Sequence, residues 1–175
     1  AKPTAKHVQW LQVTTGSRFV LHLFVAFGLL VALASNVHAT HAMGGDLAYE
    51  CLGNGRYKVV LNFFRDCNGV SAPTNCNNGL MFRVQSPTCS ANFTGCFGIP
   101  TVQIVTPTCS SAIDRCLDAS GTYGIQRYQY TSIIDLSAWS GCGTDWVIDW
   151  SLCCRNNSIT SLQNPGSRDL YLRAT

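Results

Sequence analysis

Apolar and polar residues alternate with a period of two along much of the chain, most clearly at residues 145–157, Asp145-Trp-Val-Ile-Asp-Trp-Ser-Leu-Cys-Cys-Arg-Asn-Asn157. Trp146, Ile148, Trp150, Leu152 and Cys154 fall on one face, and Val147, Asp149, Ser151 and Cys153 on the other. The spacing predicts a half-buried strand at the centre of the core. Adjacent cysteines in extended chain point to opposite faces, so Cys153 and Cys154 are expected to enter two different crosslinks.

The same period predicts a hairpin. Leu47, Tyr49 and Cys51 share one face of Asp46–Leu52, and Gly53-Asn-Gly55 supplies the positive-φ residues of a tight turn. The returning strand, Arg56–Phe64, turns Tyr57, Val59, Leu61 and Phe63 inward and Lys58 and Asn62 outward. Residues 70–79, rich in Pro, Asn and Ser, read as a loop. Leu80–Val84, Thr101–Val105 and Asp169–Ala174 predict short strands and Tyr123–Leu136 a long one with room for a bulge. The segments Cys89–Cys96 and Cys109–Cys116 read as loops between them. About seven strands separated by turn residues, without a helical pattern after residue 39, predict an all-β fold. The expectation is a disulfide-rich antiparallel β-sandwich, immunoglobulin-like, with Trp146, Trp150, Tyr49, Tyr57, Leu61 and Phe63 in its core.

The N-terminal stretch has a different character. Lys2, Lys6 and Arg18 precede an apolar run, Phe19–Ala34, interrupted by His22, and Val37-His-Ala39 resembles a small-x-small cleavage site. Residues 1–39 are therefore expected to be a secretory signal, cleaved after Ala39 or retained as an anchor helix, with residues 40–175 as one stapled domain. The run is shorter than the roughly 20 apolar residues of a spanning helix, so no stable membrane insertion is expected after cleavage. The last strand pattern stops without a loop, which predicts a domain truncated at its C-terminal end.

All ten cysteines lie between Cys51 and Cys154, outside this leader. An even number confined to the exported part reads as disulfides in an oxidising compartment, and so as a secreted or cell-surface protein. Cys51–Cys154 between the sheets, Cys109–Cys116 and Cys89–Cys96 are the expected pairs. Cys67, Cys76, Cys142 and Cys153 complete the set of structural bridge candidates.

Charge and chemistry narrow the function. Three of the twelve basic residues belong to the leader, leaving nine against nine acidic residues with Lys58 as the one lysine, which argues against a nucleic-acid surface. His7, His22 and His38 also lie in the leader, so a nucleophile–histidine system would depend on His41 alone. There is no Cys-x2–4-Cys pair for zinc. Asp66-Cys-Asn-Gly69 echoes a calcium loop without its other carboxylates and reads as a turn. Asp145 and Asp149, roughly 13 Å apart on one strand, are too far apart for a glycosidase pair. They read as a solvated face, with Arg155 as an ion-pair partner open to Asp149. Tyr128 and Tyr130 are open to a sugar-stacking role, but aromatics at strand spacing favour the core. With no phosphate loop either, neither a cofactor, a metal nor an enzymatic activity is expected.

Four stretches carry a family resemblance: His41-Ala-x-Gly-Gly-Asp-Leu-x-Tyr-x-Cys51, Phe64-Arg-Asp-Cys-Asn-Gly69, Thr106-Pro-x-Cys109 with Cys116, and Cys142-x-x-Asp-Trp146 through Ser151-Leu-Cys-Cys-Arg-Asn-Asn157. Together they resemble an N-terminal module of large secreted Bacteroidota proteins, many with immunoglobulin-like or PKD repeats and a gliding-motility or type IX secretion sorting domain. Cys76 and Cys96 stand outside that pattern, and a bridge between them is one pairing open to them. The resemblance implies a non-enzymatic structural or adhesion module. Its expected partners are other domains of a larger surface protein, with surface glycans or cell-envelope proteins as further partners. Two alternatives remain: a carbohydrate-binding module, marked by a surface line of two or three exposed aromatics with a calcium site nearby, and a secreted hydrolase, which needs a cleft with carboxylates from separate strands such as Asp66 and Asp149.

Overall fold

The computed structural model describes residues 42–107, 109 and 111–175. The signal or anchor expected over residues 1–39 lies outside the described residues, as does His41. Among the described residues, eight strands form two four-stranded sheets in which neighbouring strands all pair antiparallel. They are β1 (Ala42–Gly53), β2 (Arg56–Asp66), β3 (Met81–Ser86), β4 (Ala91–Cys96), β5 (Thr101–Ile104), β6 (Ile125–Asp135), β7 (Val147–Leu152) and β8 (Leu170–Ala174). The sheets run β1-β2-β6-β5 and β4-β3-β7-β8. Lettered in chain order with the fourth strand as C′, these are the A-B-E-D and C′-C-F-G sheets of an immunoglobulin-like sandwich.

Period-two burial builds the core. Val59, Leu61 and Phe63 from β2, and Tyr130 and Ile134 from β6, meet Phe82 and Val84 from β3 and Ile148 and Trp150 from β7. In antibody domains the B and F strands are joined by a disulfide. Here Phe63 on β2 and Trp150 on β7 occupy that junction edge-to-face, with ring centroids 6.1 Å apart. The Trp150 indole N–H donates to the Gly79 carbonyl at 2.7 Å, and the Tyr130 hydroxyl to the Pro73 carbonyl at 2.8 Å, so both rings bury their polar ends satisfied. On the solvent face of the first sheet, Gln129 donates to Asn62 and Asn62 to Asp46, a polar ladder across three strands.

Two elements differ from expectation. The segment between Cys89 and Cys96, read as a loop, contains β4, which pairs with β3 residue for residue from Met81↔Cys96 to Ser86↔Ala91. Its Gly95 has no side chain because the Phe82 ring lies across that position. The β2–β6 register runs unbroken from Arg56↔Asp135 to Asp66↔Ile125, without the bulge allowed for.

The crosslinks differ more. The bridges are Cys67–Cys116, Cys76–Cys96, Cys89–Cys142 and Cys153–Cys154, and Cys51 and Cys109 are free and exposed. Cys51 cannot meet Cys154, because Arg155 bridges to Ala42 at the opposite end of β1, about 30 Å from Cys51 at the usual strand rise. Cys116 meets Cys67 rather than Cys109, because the Cys67 N–H donates to the Gly124 carbonyl where β2 and β6 end together. Cys89 sits in the β3–β4 turn and Cys96 at the far end of β4, so the register separates them. Cys153 and Cys154 bond to each other across a cis peptide bond, not to two other partners. Strand β7 ends at Leu152, so the pair is not in the extended chain that the expectation required.

Candidate functional site

The strands of the two sheets are unequal in length. In the first sheet β1, β2 and β6 have 12, 11 and 11 residues and the edge strand β5 has 4, while β3, β4, β7 and β8 of the second have 6, 6, 6 and 5. At about 3.3 Å per residue, the three long strands exceed those of the second sheet by roughly 16–23 Å. Inward-facing side chains near the ends of the first sheet therefore lack a strand opposite them. At the β1–β2 hairpin end these are Tyr49 and Tyr57, and they open onto a cleft of about 450 Å³.

The far wall of the cleft comes from the segment between β6 and β7. The tight turn Gly53-Asn54-Gly55, all at positive φ, brings the Gly55 carbonyl to the Leu136 N–H at 2.8 Å. A Cβ on Gly55 would lie 2.8 Å from the backbone of Ser137, so only glycine allows this approach. Asp135 accepts from the Ser137 N–H at 2.9 Å, which starts the 3-10 turn Ser137–Trp139. That turn carries Trp139 into the cleft, where the ring stacks on Phe93 of β4 at 5.3 Å and stands edge-to-face with Trp146 at 5.9 Å.

Two further tethers hold this wall. The Cys89–Cys142 bridge ties it to the β3–β4 turn. Asp145, next to Trp146, accepts from the Thr88 hydroxyl at 2.6 Å, the Thr88 N–H at 2.9 Å and the Ser86 hydroxyl at 2.7 Å. Hydrogen bonds from Thr88 first and Ser86 next hold the Asp145 carboxyl down at about 2. The aromatic wall is thus fixed by a ring stack, a covalent bridge and an anchored carboxylate.

The lining includes Tyr49, Tyr57, Trp139, Trp146, Ser140 and Thr144, and among the described residues no lining side chain carries a charge. Tyr49 stands edge-to-face with Tyr57 at 6.1 Å. Among the described residues, none of the hydroxyls of these four polar residues has a hydrogen-bond partner, nor does the indole N–H of Trp139 or Trp146. Outside the cleft, Tyr123, Tyr128 and Tyr130 donate their hydroxyls to protein acceptors, whereas the exposed Tyr171 of β8 does not among the described residues.

The sequence-predicted residues are distributed unevenly over this picture. Trp150, Leu61 and Phe63 are buried, and Tyr57 and Trp146 pack partly buried against the core. Tyr49, expected inside, is 46% exposed, because no strand of the second sheet faces that end of β1 and the cleft lies there instead. Tyr128 and Tyr130 stack at 6.2 Å within the interior, and burial together with the Tyr128 neighbour pushes the Tyr130 phenol well above its usual range. Asp149 is buried rather than solvated, and its partner is Arg83 at 3.0 Å, which raises the Arg83 pKa. Arg155 instead donates through Nε to the Asp169 backbone carbonyl at 3.0 Å. Asp66 accepts from Asn156 and from the Asn68 N–H at the end of β2, so the structure does not bring Asp66 and Asp149 together. Trp139 was not singled out from the sequence. Its signal is a lone tryptophan in a short polar connection, which carries no period.

Among the described residues, no helix is long and apolar enough to cross a membrane, and no cluster of three metal-ligating side chains occurs. Compared with known proteins, the chain matches no family model, no curated protein and no solved structure.

Proposed function

We propose that this chain is a non-enzymatic extracellular module, structural or adhesive, of a secreted or cell-surface bacterial protein, and that it engages its partner through the aromatic cleft. The observation that carries the reading is where the acidic side chains are engaged. All but that of Asp169 accept a hydrogen bond or form an ion pair within the fold, and none lines the cleft. Glycoside hydrolysis of the common kind needs two carboxyl groups facing each other across a bound substrate. Here Asp66 and Asp149 act as braces. Four disulfides support an oxidising destination, and the resemblance to the Bacteroidota surface module supports a place within a larger envelope protein.

The test combines location and chemistry. The full chain is produced in an export-competent bacterial host, intact cells are treated with an impermeant thiol label and protease, and purified protein is incubated with envelope polysaccharides. The expected result is an oxidised, surface-accessible chain that is retained on cell envelopes and releases no reducing ends. Reduced chain confined to the cytoplasm, or turnover of a polysaccharide, would overturn the reading.

A further inference from the structure

The cleft has a chemistry of its own. Its walls are two aromatic pairs, Tyr49 with Tyr57 and Trp139 with Trp146, and each pair meets edge-to-face. All four rings line the cleft, with one face of Trp139 taken up by its stack on Phe93. Around them lie hydroxyl and indole donors with no protein partner among the described residues, and no charged side chain.

We infer that the cleft is a binding site for a neutral saccharide. This deepens the proposed function by naming the ligand class, and it rests on the cleft being the face through which the module engages its partner. A pyranose ring presents an apolar face of C–H groups and an equatorial belt of hydroxyls. The first fits an aromatic wall and the second needs donors and acceptors at the rim, here the hydroxyls of Tyr49, Tyr57, Ser140 and Thr144. The absence of a charged lining side chain selects against sialylated, sulfated and uronic-acid glycans, which would leave their charge unpaired on desolvation. A volume of about 450 Å³ lies within the range of small-ligand pockets and suits the end or a short stretch of a glycan chain. A proline-rich peptide also seeks aromatic grooves, but it needs a long open channel. This cleft is instead closed at one side by the Ser137–Trp139 turn and at its base by Val84 and Ile148.

The tethers give the site its form before ligand arrives. Trp139 is locked on Phe93, and the segment from residue 140 to 146 is fixed by the Cys89–Cys142 bridge and by Asp145 on the β3–β4 turn. A preformed wall reduces the ordering cost of binding a weakly held ligand.

The test uses the full oxidised chain and a panel of neutral hexasaccharides built from glucose, mannose, galactose, xylose and N-acetylglucosamine. Tryptophan fluorescence and titration calorimetry supply the readouts. At least one hexasaccharide is expected to bind saturably and to shift the emission. Tyr49→Ala and Trp139→Ala are each expected to weaken binding at least tenfold, whereas Tyr171→Ala, at an exposed tyrosine of β8, leaves it within about twofold. Tyr49 is half-exposed on an edge strand, so its variant keeps the fold and isolates the contact. No binding by any panel member at about 10 mM, weaker than the millimolar affinities of the poorest specific ligands, would falsify the inference. So would binding that survives both cleft variants, or emission shifts produced only by a proline decapeptide or by heparin. Envelope retention that neutral sugars do not compete sinks the saccharide while leaving the adhesive reading standing. Saccharide binding by a chain that proves cytoplasmic or hydrolytic does the opposite.

Discussion

Val59 and Tyr49 sit directly across from each other on β2 and β1 and point to the same side of the sheet, yet Val59 is completely buried and Tyr49 is half-exposed. From Val59 to Phe63 the second sheet covers every inward side chain of β2. Two residues before Val59, at Tyr57, the cover thins, and the space is roofed instead by Trp139 and Trp146 from a connection. The middle of the sandwich holds together through apolar burial and two satisfied ring donors. Its open end holds together through a disulfide, an anchored carboxylate and a close-packed glycine. The comparison teaches that one alternating pattern yields core or cleft according to the length of the strands opposite, and that stability and ligand access are divided between the two regions.

The two regions should respond differently to substitution. Trp150→Ala removes the ring at the junction of the sheets and is expected to cost about 3–5 kcal/mol, read as a fall in the denaturation midpoint. Tyr49→Ala should cost under about 1 kcal/mol, since little burial is lost. Equal losses would show that the open end is part of the core after all. Replacing Cys89 and Cys142 together by Ser opens a crosslink spanning 53 residues, and a loss of about 2–4 kcal/mol is expected. Near-UV circular dichroism should show the change concentrated in the tryptophans of the cleft.

Gly55→Ala tests the contact between the hairpin and the cleft wall. The new Cβ meets Ser137 at a positive φ, and a loss of about 1–3 kcal/mol is expected, with reduced hydrogen-exchange protection at Leu136. A neutral outcome would mean that the hairpin does not position the wall.

The smallest effect comes from pH. Asp145 is held at about 2 against an ordinary 3.8, so the folded state favours its ionised form. Its stabilising contribution is present above the unfolded value and fades as pH falls from about 4 through about 2. Asp135, lowered by its hydrogen bonds from Ser137, works in the same direction at the other end of the same segment. Tryptophan emission should therefore shift across that window before global unfolding, and Asp145→Asn should flatten much of the shift. An unchanged profile in the variant would assign the transition elsewhere.

Much of the fold was legible because the alternation is local. The β1–β2 hairpin, its inward and outward faces and its Gly-Asn-Gly turn follow from steric and hydrophobic rules that act over a few residues. β4 was hidden because the spacing of its flanking cysteines suggests a small bridged loop, whereas the pairing with Met81–Ser86 that defines it is non-local. Of the cleft, Tyr49, Tyr57 and Trp146 were visible as apolar positions, but all three read as interior. Trp139 gave no periodic signal.

By itself the sequence determined the all-β class, the antiparallel hairpin, the burial of Leu61, Phe63 and Trp150, and the presence of crosslinks as a group. Each depends on residue type and near-neighbour spacing. The tertiary structure alone decided which cysteines meet, that Asp149 pairs with Arg83 rather than Arg155, and that Tyr49 faces a cleft instead of a core. Those outcomes depend on registers between distant strands and on the mismatch in length between two sheets. No local pattern encodes a distance between elements that the chain joins only after folding.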